Sequence, residues 1–315
     1  MKLNHLRDVL AIVERGSIRA AARALDLPQP ALSRSIRELE RELGVALFER
    51  TTRGVTPTQS GTLFLARAKA VQSELRRARE EIDQLRGFTH GRVAACLSTV
   101  PHISLLAPAL GTFRERYPDV HLDILDGLFP TSEPALKDGT LDCYIGPPPE
   151  QMPPEFSAEK LFENTRVILC RKGHPLRDAR SLRDLANAEW ITTSVTYKGE
   201  EEIGPLFAQY GLPAPRLVLQ AHSALTFIVA VAHHDLLTML PVQWLDFPLT
   251  RDVLQKIDVK EPLPGPPICI IRRAGLPLTP AAEYFCDMIR RASAHLSSGK
   301  KRKPARTGVA RTARR

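Results

Sequence analysis

Gln29, Pro30, Ser33, Arg34 and Arg37 are the residues near the front of the chain best suited to chemistry at a surface. Pro30, Ser33, Arg34 and Arg37 follow the i, i+3, i+4, i+7 spacing of one helix face. Leu32, Ile36, Leu39 and Leu43 form a second stripe with the same period. One stripe packs and the other points outward. Gln and Arg near the start of such a helix match the base edges of a DNA major groove. Gln29 suits adenine N6/N7, Arg34 suits guanine O6/N7, and Pro30 can lie against a thymine methyl. Ser33 and Arg37 suit phosphate. An ordinary solvated helix face would show the same residue types, so the surrounding elements have to decide.

Those elements read as a helix-turn-helix with a wing. Leu3, Leu6, Leu10 and Val13 mark a first helix that Gly16 ends. Ser17 can cap the second helix by accepting a backbone N–H, and Ile18, Ala21, Ala22 and Leu25 give its buried face. Asp26-Leu27-Pro28 makes the turn, and Gly44 closes the third helix. Val45 to Thr58, with Gly54 at its turn, reads as a short β-ribbon. From Gln59 to about Arg86 the chain is helical, and Phe64, Ala68, Val71, Leu75, Ala78, Ile82 and Leu85 recur at alternating four- and three-residue steps. That heptad seam predicts a dimerisation helix; the competing reading is a lone amphipathic helix packed on its own domain.

After Gly91, apolar runs at 92–98, 120–125, 141–146, 166–170, 190–192, 217–219, 237–240 and 268–273 alternate with helical stretches. The alternation predicts a mostly parallel α/β arrangement. Pro-rich breaks at 147–154 and 262–267 suggest that the chain crosses into a second lobe and returns, with joints near 147–162 and 260–268. The expected organisation is a head at 1–58, a linker helix at 59–90 and a sensor at 91–296. Within the sensor, lobe I is 91–160 with 268–296, and lobe II is 162–262. Residues 297–315 hold eight basic groups and no acidic one, and are expected to be a solvated tail or an extra attraction for DNA phosphates.

The net charge of +9 is weaker support for DNA binding than it looks, because that tail supplies +8 of it. The first 58 residues carry +3 and the large sensor region −4, which suits a basic reading head on a body that stays off DNA. The five scattered cysteines have no CxxC spacing and sit in apolar runs, so neither a disulfide framework nor a metal site is expected. No cofactor is expected. No apolar stretch of about 18 residues predicts a membrane span. The start of the chain has no secretory pattern, so a cytoplasmic protein is expected. The chain shows no GxSxG, GxGxxG, P-loop or HExxH motif, and His233-His234 cannot share a helix face as metal ligands do. Catalysis is not expected.

In open α/β lobes, ligands bind beyond the C-terminal ends of strands. Ser98-Thr99-Val100 and Thr192-Thr193-Ser194 each end a strand with hydroxyls and free N–H groups. His102, Thr131, Gly146, His222 and Pro241 are further candidates, although surface or packed roles would account for the histidines equally well.

The first 60 residues resemble the LysR-type transcriptional regulators. The likeness runs without gaps through Gly16-Ser17, Ala21-Ala22, Leu25, Gln29-Pro30-Ala31-Leu32-Ser33, Ile36, Leu39-Glu40, Leu43-Gly44, Leu47-Phe48, Arg50, Thr58 and Gly61. It continues more loosely through Gly91, Ser98-Thr99, Phe113, Tyr117-Pro118, Gly139, Leu141-Asp142, His174-Pro175-Leu176 and Leu240-Pro241. The sequence also looks like the branch that holds regulators of sugar-binding proteins and aryl-sulfonate regulators. The resemblance implies a winged helix-turn-helix head and a two-lobed effector domain like that of periplasmic binding proteins. It implies that Gln29, Pro30, Ser33, Arg34 and Arg37 face the major groove, and that Arg50 and Arg53 on the wing reach phosphates or the minor groove. Ser17 is counted with these DNA contacts. The family places a co-inducer between the lobes, at positions that match Ser98, Thr99, Val100, Thr193 and Ser194. It also implies double-stranded DNA with a pseudo-palindromic operator, RNA polymerase, and a homodimer or homotetramer as partners. Pro28 departs from the Ser or Thr usual in the family before Gln-Pro, which puts one backbone contact in doubt. Two other readings compete: a solute-binding protein, and a DNA-binding protein whose lobes serve only assembly.

Overall fold

The computed structural model describes residues 1–51, 54–193, 200–221 and 223–299. The head consists of α1 (Leu3–Arg15), α2 (Ile18–Ala24), α3 (Gln29–Leu43) and a two-stranded ribbon of β1 (Phe48–Thr51) and β2 (Gly54–Pro57). Its core is Leu6, Val9, Ile12, Ala22, Leu32, Ile36 and Leu39 with their neighbours. The face of α1 that is buried is therefore Leu6–Val9–Ile12, turned from the predicted one; Leu3 and Val13 are exposed, because they lie at the ends of the helix. Burying a side chain the size of Leu32 contributes about 1.5–3 kcal/mol.

Local chemistry fixes the joints of the head. The Ser17 hydroxyl accepts the Ala20 N–H at 3.1 Å and starts α2. Gly44, at φ 72°, ends α3 in the left-handed region that favours glycine. The Glu40 carboxylate accepts the N–H groups of Leu47 (2.8 Å) and Phe48 (3.3 Å), and so holds the wing to α3. Ser35 donates to Asp8 at 2.6 Å and ties α3 to α1.

A single long helix, α4 (Gln59–Leu85), leaves the head. Thr58 caps it, accepting from Gly61 N at 2.9 Å and donating to Ala46 O at 2.8 Å. Gly61 lies so close to the Leu47 carbonyl that a Cβ there would collide with backbone.

The remaining chain forms β3 (Gly91–Leu97), α5 (Thr99–Pro101), a π-helical turn (His102–Leu106), α6 (Ala107–Arg116), β4 (Val120–Asp126), α7 (Phe129–Lys137), β5 (Cys143–Gly146) and β6 (Phe156–Arg171). Then come β7 (Glu189–Thr193), α8 (Glu200–Gln209), β8 (Arg216–Ala221), α9 (Ala224–His233), β9 (Leu236–Pro241), β10 (Leu254–Ile257), β11 (Pro264–Arg273) and α10 (Pro280–Gly299). The main sheet runs β4-β3-β5-β11-β6-β9-β7-β8, with β10 beside β6. Lobe I lies at the β4 end and lobe II at the β8 end.

The sheet is mixed rather than mostly parallel. Within the lobes β3–β4, β3–β5, β7–β8 and β7–β9 are parallel. The two crossing strands are antiparallel: β11 to β5 and β6, and β6 to β9. A chain that crosses out once and returns once must cross in opposite directions. The joint is a pair of strands rather than a loop. β6 pairs with β11 along its first half and with β9 and β10 along its second, with Asn164 opposite Gly265 at the change-over.

Helices cover both faces of lobe I. Phe113, Tyr117 and Phe285 pack on one face, and Phe129, Tyr144 and Phe156 on the other. In lobe II, Trp190 and Phe207 lie on one face and Phe227 and Trp244 on the other. All five cysteines are buried and free, as packed small side chains should be. Burial pushes the Cys96 thiol up to about 11, which keeps it protonated. Among the described residues no helix is long and apolar enough to cross a membrane, and no cluster of side chains could hold a metal ion.

Candidate DNA interface and effector cleft

The outward face of α3 begins at its N-terminal end. Gln29, Pro30, Arg34 and Arg37 are exposed and Ser33 is half-buried, while Leu32, Ile36 and Leu39 turn inward. Arg37 Nε donates to Ser33 O at 3.2 Å, which lays that side chain back along the helix. Pro28 occupies the N-cap without a side-chain hydrogen bond, so the first N–H groups of α3 have no cap from that residue. Ser17 is occupied in capping α2, and a phosphate contact would have to share its oxygen with Ala20 N. Arg50 lies on β1, at the end that turns into β2; its side chain and the whole of Arg53 lie outside the described residues.

The predicted seam divides along α4. Ala68 is 1% exposed and Phe64 half-buried, and both pack into the core of their own head. These two are corrected from the dimerisation set, because α1 already covers that end of α4. Val71, Leu75, Ala78, Ile82 and Leu85 are exposed along one face, Leu85 at 75%.

Another face of α4 docks on lobe I through polar groups that the seam did not reveal. Arg77, 5% exposed, donates to Gly139 O and Leu141 O, both at 3.0 Å, and pairs with Asp142 at 2.9 Å. Asp142 also accepts Ala94 N–H at 2.8 Å, and burial pushes its carboxyl up to about 6. One heptad on, Gln84 accepts Ala281 N–H at 2.9 Å and donates to His90 O at 3.2 Å. Glu74 pairs with Arg273 of β11. The seven-residue spacing of Arg77 and Gln84 was the available signal.

Between the lobes lies a cleft with about 580 Å³ of empty space, part of it open to solvent. Of the predicted residues, Ser98, Thr99, Val100 and Pro241 line it. Gly146 is buried beside it, and a Cβ there would stand 2.7 Å from Ser98 Oγ and collide with the Tyr144 hydroxyl. Neither of those hydroxyls makes a hydrogen bond of ordinary geometry. Burial pushes the Tyr144 phenol above its usual range.

His102 and Thr131 do not belong to the cleft lining. His102 Nδ1 turns back to Ser98 O at 3.2 Å, and Thr131 Oγ1 donates to Leu128 O at 2.9 Å at the start of α7. The side chain of Thr193, and all of Ser194 and His222, lie outside the described residues. Sequence reasoning missed Asn164 and Arg166 on β6, and Trp244 after β9. They come from the crossing strand and a short turn rather than from strand ends, so the strand-end rule passes over them.

Residues 3–62 match the family described as the bacterial regulatory helix-turn-helix protein, lysR family, and residues 86–294 match the LysR substrate binding domain. The HTH-type transcriptional regulator GbpR of Azospirillum brasilense is 31% identical over 243 residues, 76% of this chain and 71% of its own length. The SDS degradation transcriptional activation protein of a Pseudomonas species is 31% identical over 297 residues, 91% of this chain and 95% of its own. Among solved structures, a full-length OxyR variant from Pseudomonas aeruginosa superposes with a TM-score of 0.68 at 22% identity, covering 92% of this chain and 95% of its own. CbnR, a LysR family transcriptional regulator, gives 0.64 at 20%, covering 93% of this chain and 99% of its own. These two likenesses speak to the fold. The two named sequence relatives are, by their names, regulators of transcription. With both family domains present in order and the matched regions covering nearly all of the described chain, the protein belongs to the LysR family: a DNA-binding transcriptional regulator with an effector-binding domain.

Proposed function

We propose that the protein is a ligand-responsive regulator in which α4 carries the state of the cleft to the reading heads. Residues 1–58 act as the head, 59–90 as the linker and 91–296 as the sensor. Gln29, Pro30, Ser33, Arg34 and Arg37 enter the major groove, with Arg50 and Arg53 of the wing on phosphates or in the minor groove. Val71, Leu75, Ala78, Ile82 and Leu85 pair two copies, which places two heads on a pseudo-palindromic operator. A small organic co-inducer binds between the lobes, changes their angle, and alters DNA bending and recruitment of RNA polymerase.

The observation that carries this reading is that α4 is anchored at both ends. Thr58 and Gly61 lock it to the head, and Arg77 and Gln84 lock it to lobe I. A helix held in this way transmits orientation. The outer strands β4 and β8 end the main sheet, and Leu125, Val218, Leu225 and Val229 are exposed on those strands and on α9. Open edges with apolar side chains favour pairing with another copy, which supports a tetramer built from dimers.

The test is selection of binding sites from random duplex DNA by the full-length protein, followed by footprinting with and without small acids and sugars. A two-fold symmetric site whose protected length changes with one of these ligands is the expected result. A footprint that no ligand alters, alongside calorimetry in which none of these ligands binds, supports instead the reading in which the lobes serve only assembly.

A further inference from the structure

We infer that the groove beside the C-terminal end of α10 is a docking site for the chain's own basic tail, residues 300–315, and that this groove and DNA phosphates compete for the tail.

The groove has about 1460 Å³ of empty space, part of it open to solvent, and shares no lining residue with the effector cleft. Its charged groups favour a cation. Glu163 and Asp246 both line it and both are exposed. Glu163 pairs with Lys160 at 2.7 Å, but both side chains are more than half exposed, so that pair is readily exchanged. Asp246 has no cationic partner among the described residues. His295 is the one lining residue able to carry positive charge, and it too is exposed.

Gln243 adds an acceptor. Its Nε2 donates to Asn164 Oδ1 at 3.1 Å, and that oxygen also accepts the Thr165 N–H at 3.0 Å, so neither amide can be reversed. Gln243 lines the groove and its buried Oε1 has no donor. An acceptor left unmade favours an occupant rich in N–H groups. Phe162, Val242 and Leu296 are half-buried and give the groove an apolar part. Lys and Arg suit such a mixture, because their stems lie on apolar surface while their heads reach carboxylates.

The chain itself supplies that occupant. α10 ends at Gly299, three residues past Leu296 and about 4.5 Å farther along the helix. Sixteen residues follow, Lys300 to Arg315, outside the described residues; eight are Lys or Arg and none is acidic. Fully extended, sixteen residues reach about 50 Å, so the whole groove is within range. A segment tethered this close is held at an effective concentration on the order of millimolar, so contacts too weak to hold a free peptide can hold the tail. The carbonyl end of a helix also carries partial negative charge. The last turn of α10 has no basic side chain, and Lys300, Lys301, Arg302 and Lys303 follow it directly. A tail held here is withheld from DNA, whose phosphates attract the same eight cations.

Zero-length carbodiimide coupling of the full-length protein, which joins a carboxylate to a lysine amine in contact with it, tests the docking. At low salt, amide links from Glu163 or Asp246 to Lys300, Lys301 or Lys303 are expected in the mass spectrum. They should be several times as frequent as links from Asp178, an exposed carboxylate outside the groove. They should fade at about 1 M salt, where charges are screened beyond about 3 Å. Mixing isotopically labelled and unlabelled protein shows whether each link forms within one chain. Glu163→Gln with Asp246→Asn alters only exposed side chains and, by freeing the tail, should raise affinity for random-sequence duplex several-fold at low salt. In protein ending at Gly299 the same two changes should have little effect. Links from the groove no more frequent than from Asp178 overturn the docking, and links formed only between copies overturn it by giving the groove to a second chain. An equal gain in DNA affinity with and without the tail reduces the two carboxylates to general repulsion of DNA and overturns the competition.

Discussion

Arg77→Ala is expected to loosen the linker helix from lobe I, at a cost that depends on pH. The guanidinium serves two carbonyls and the Asp142 carboxylate from a buried position, and removing one member of a buried pair costs about 3–5 kcal/mol. The stranded carboxylate has one escape, which is to take up a proton. Burial already holds Asp142 at about 6 in the folded protein, against an unfolded value of 3.8, so this group by itself makes folding more favourable as pH falls through 6. Loss of the neighbouring cation moves the folded value higher still. The variant therefore binds a proton at pH values where the wild type does not, and its deficit grows as pH rises through that window. At pH 8 the full 3–5 kcal/mol is expected, and at pH 5 only about 1–3 kcal/mol for the carbonyls left without a donor. Urea unfolding followed by circular dichroism at the two pH values, with Arg77→Lys as a partial rescue, measures the difference. A cost below about 1 kcal/mol at pH 8, or one that does not change with pH, would refute the reasoning.

Other outcomes follow from the head and the linker. Arg34→Ala should cost about 1–3 kcal/mol of operator binding and relax base preference at one position of each half-site, read by mobility shift on single-base variants. Leu75→Asp with Ile82→Asp should give a monomer in sedimentation and lose operator affinity; a dimer that still binds fully would remove the seam from the mechanism. Gly61→Ala forces a Cβ into the Leu47 carbonyl and should cost about 1–3 kcal/mol or more in head stability by thermal melting.

The head was legible in the sequence because its signals are local. Ser17, three of the four stripe residues (Leu32, Ile36 and Leu39) and Gly44 each follow from a few neighbouring residues and take their expected places, while Leu43, in the last turn of α3, is exposed. The sensor was legible in its strands but not in its wiring. The first half of β6, Ser157 to Thr165, is largely polar and exposed, because it runs where the lobes part, so no apolar run marked it. The Phe64–Leu85 pattern was a true helical period, but period cannot tell which neighbour covers which turn, and Ala68 went to the head core. Arg77 was hidden for a related reason. A charged residue on a charged helix reads as solvated until Gly139, Leu141 and Asp142, more than sixty positions later, are brought against it. The cleft residues Asn164, Arg166 and Trp244 share that dependence on the crossing strands.

The anchoring of α4 also sets a gear ratio. From Arg77 back to Gln59 the helix spans eighteen residues, an arm of about 27 Å. A tilt of about 7° at the Arg77 anchor sweeps the head through about 3.3 Å, close to the 3.4 Å rise of one base along a strand. With Thr58 and Gly61 fixing the near end, little of that sweep is lost at the joint. In the proposed dimer, two heads on opposite arms double it. Under the proposed mechanism a slight turn of lobe I, smaller than the opening of a free hinge, is enough to move the reading heads by a whole base step.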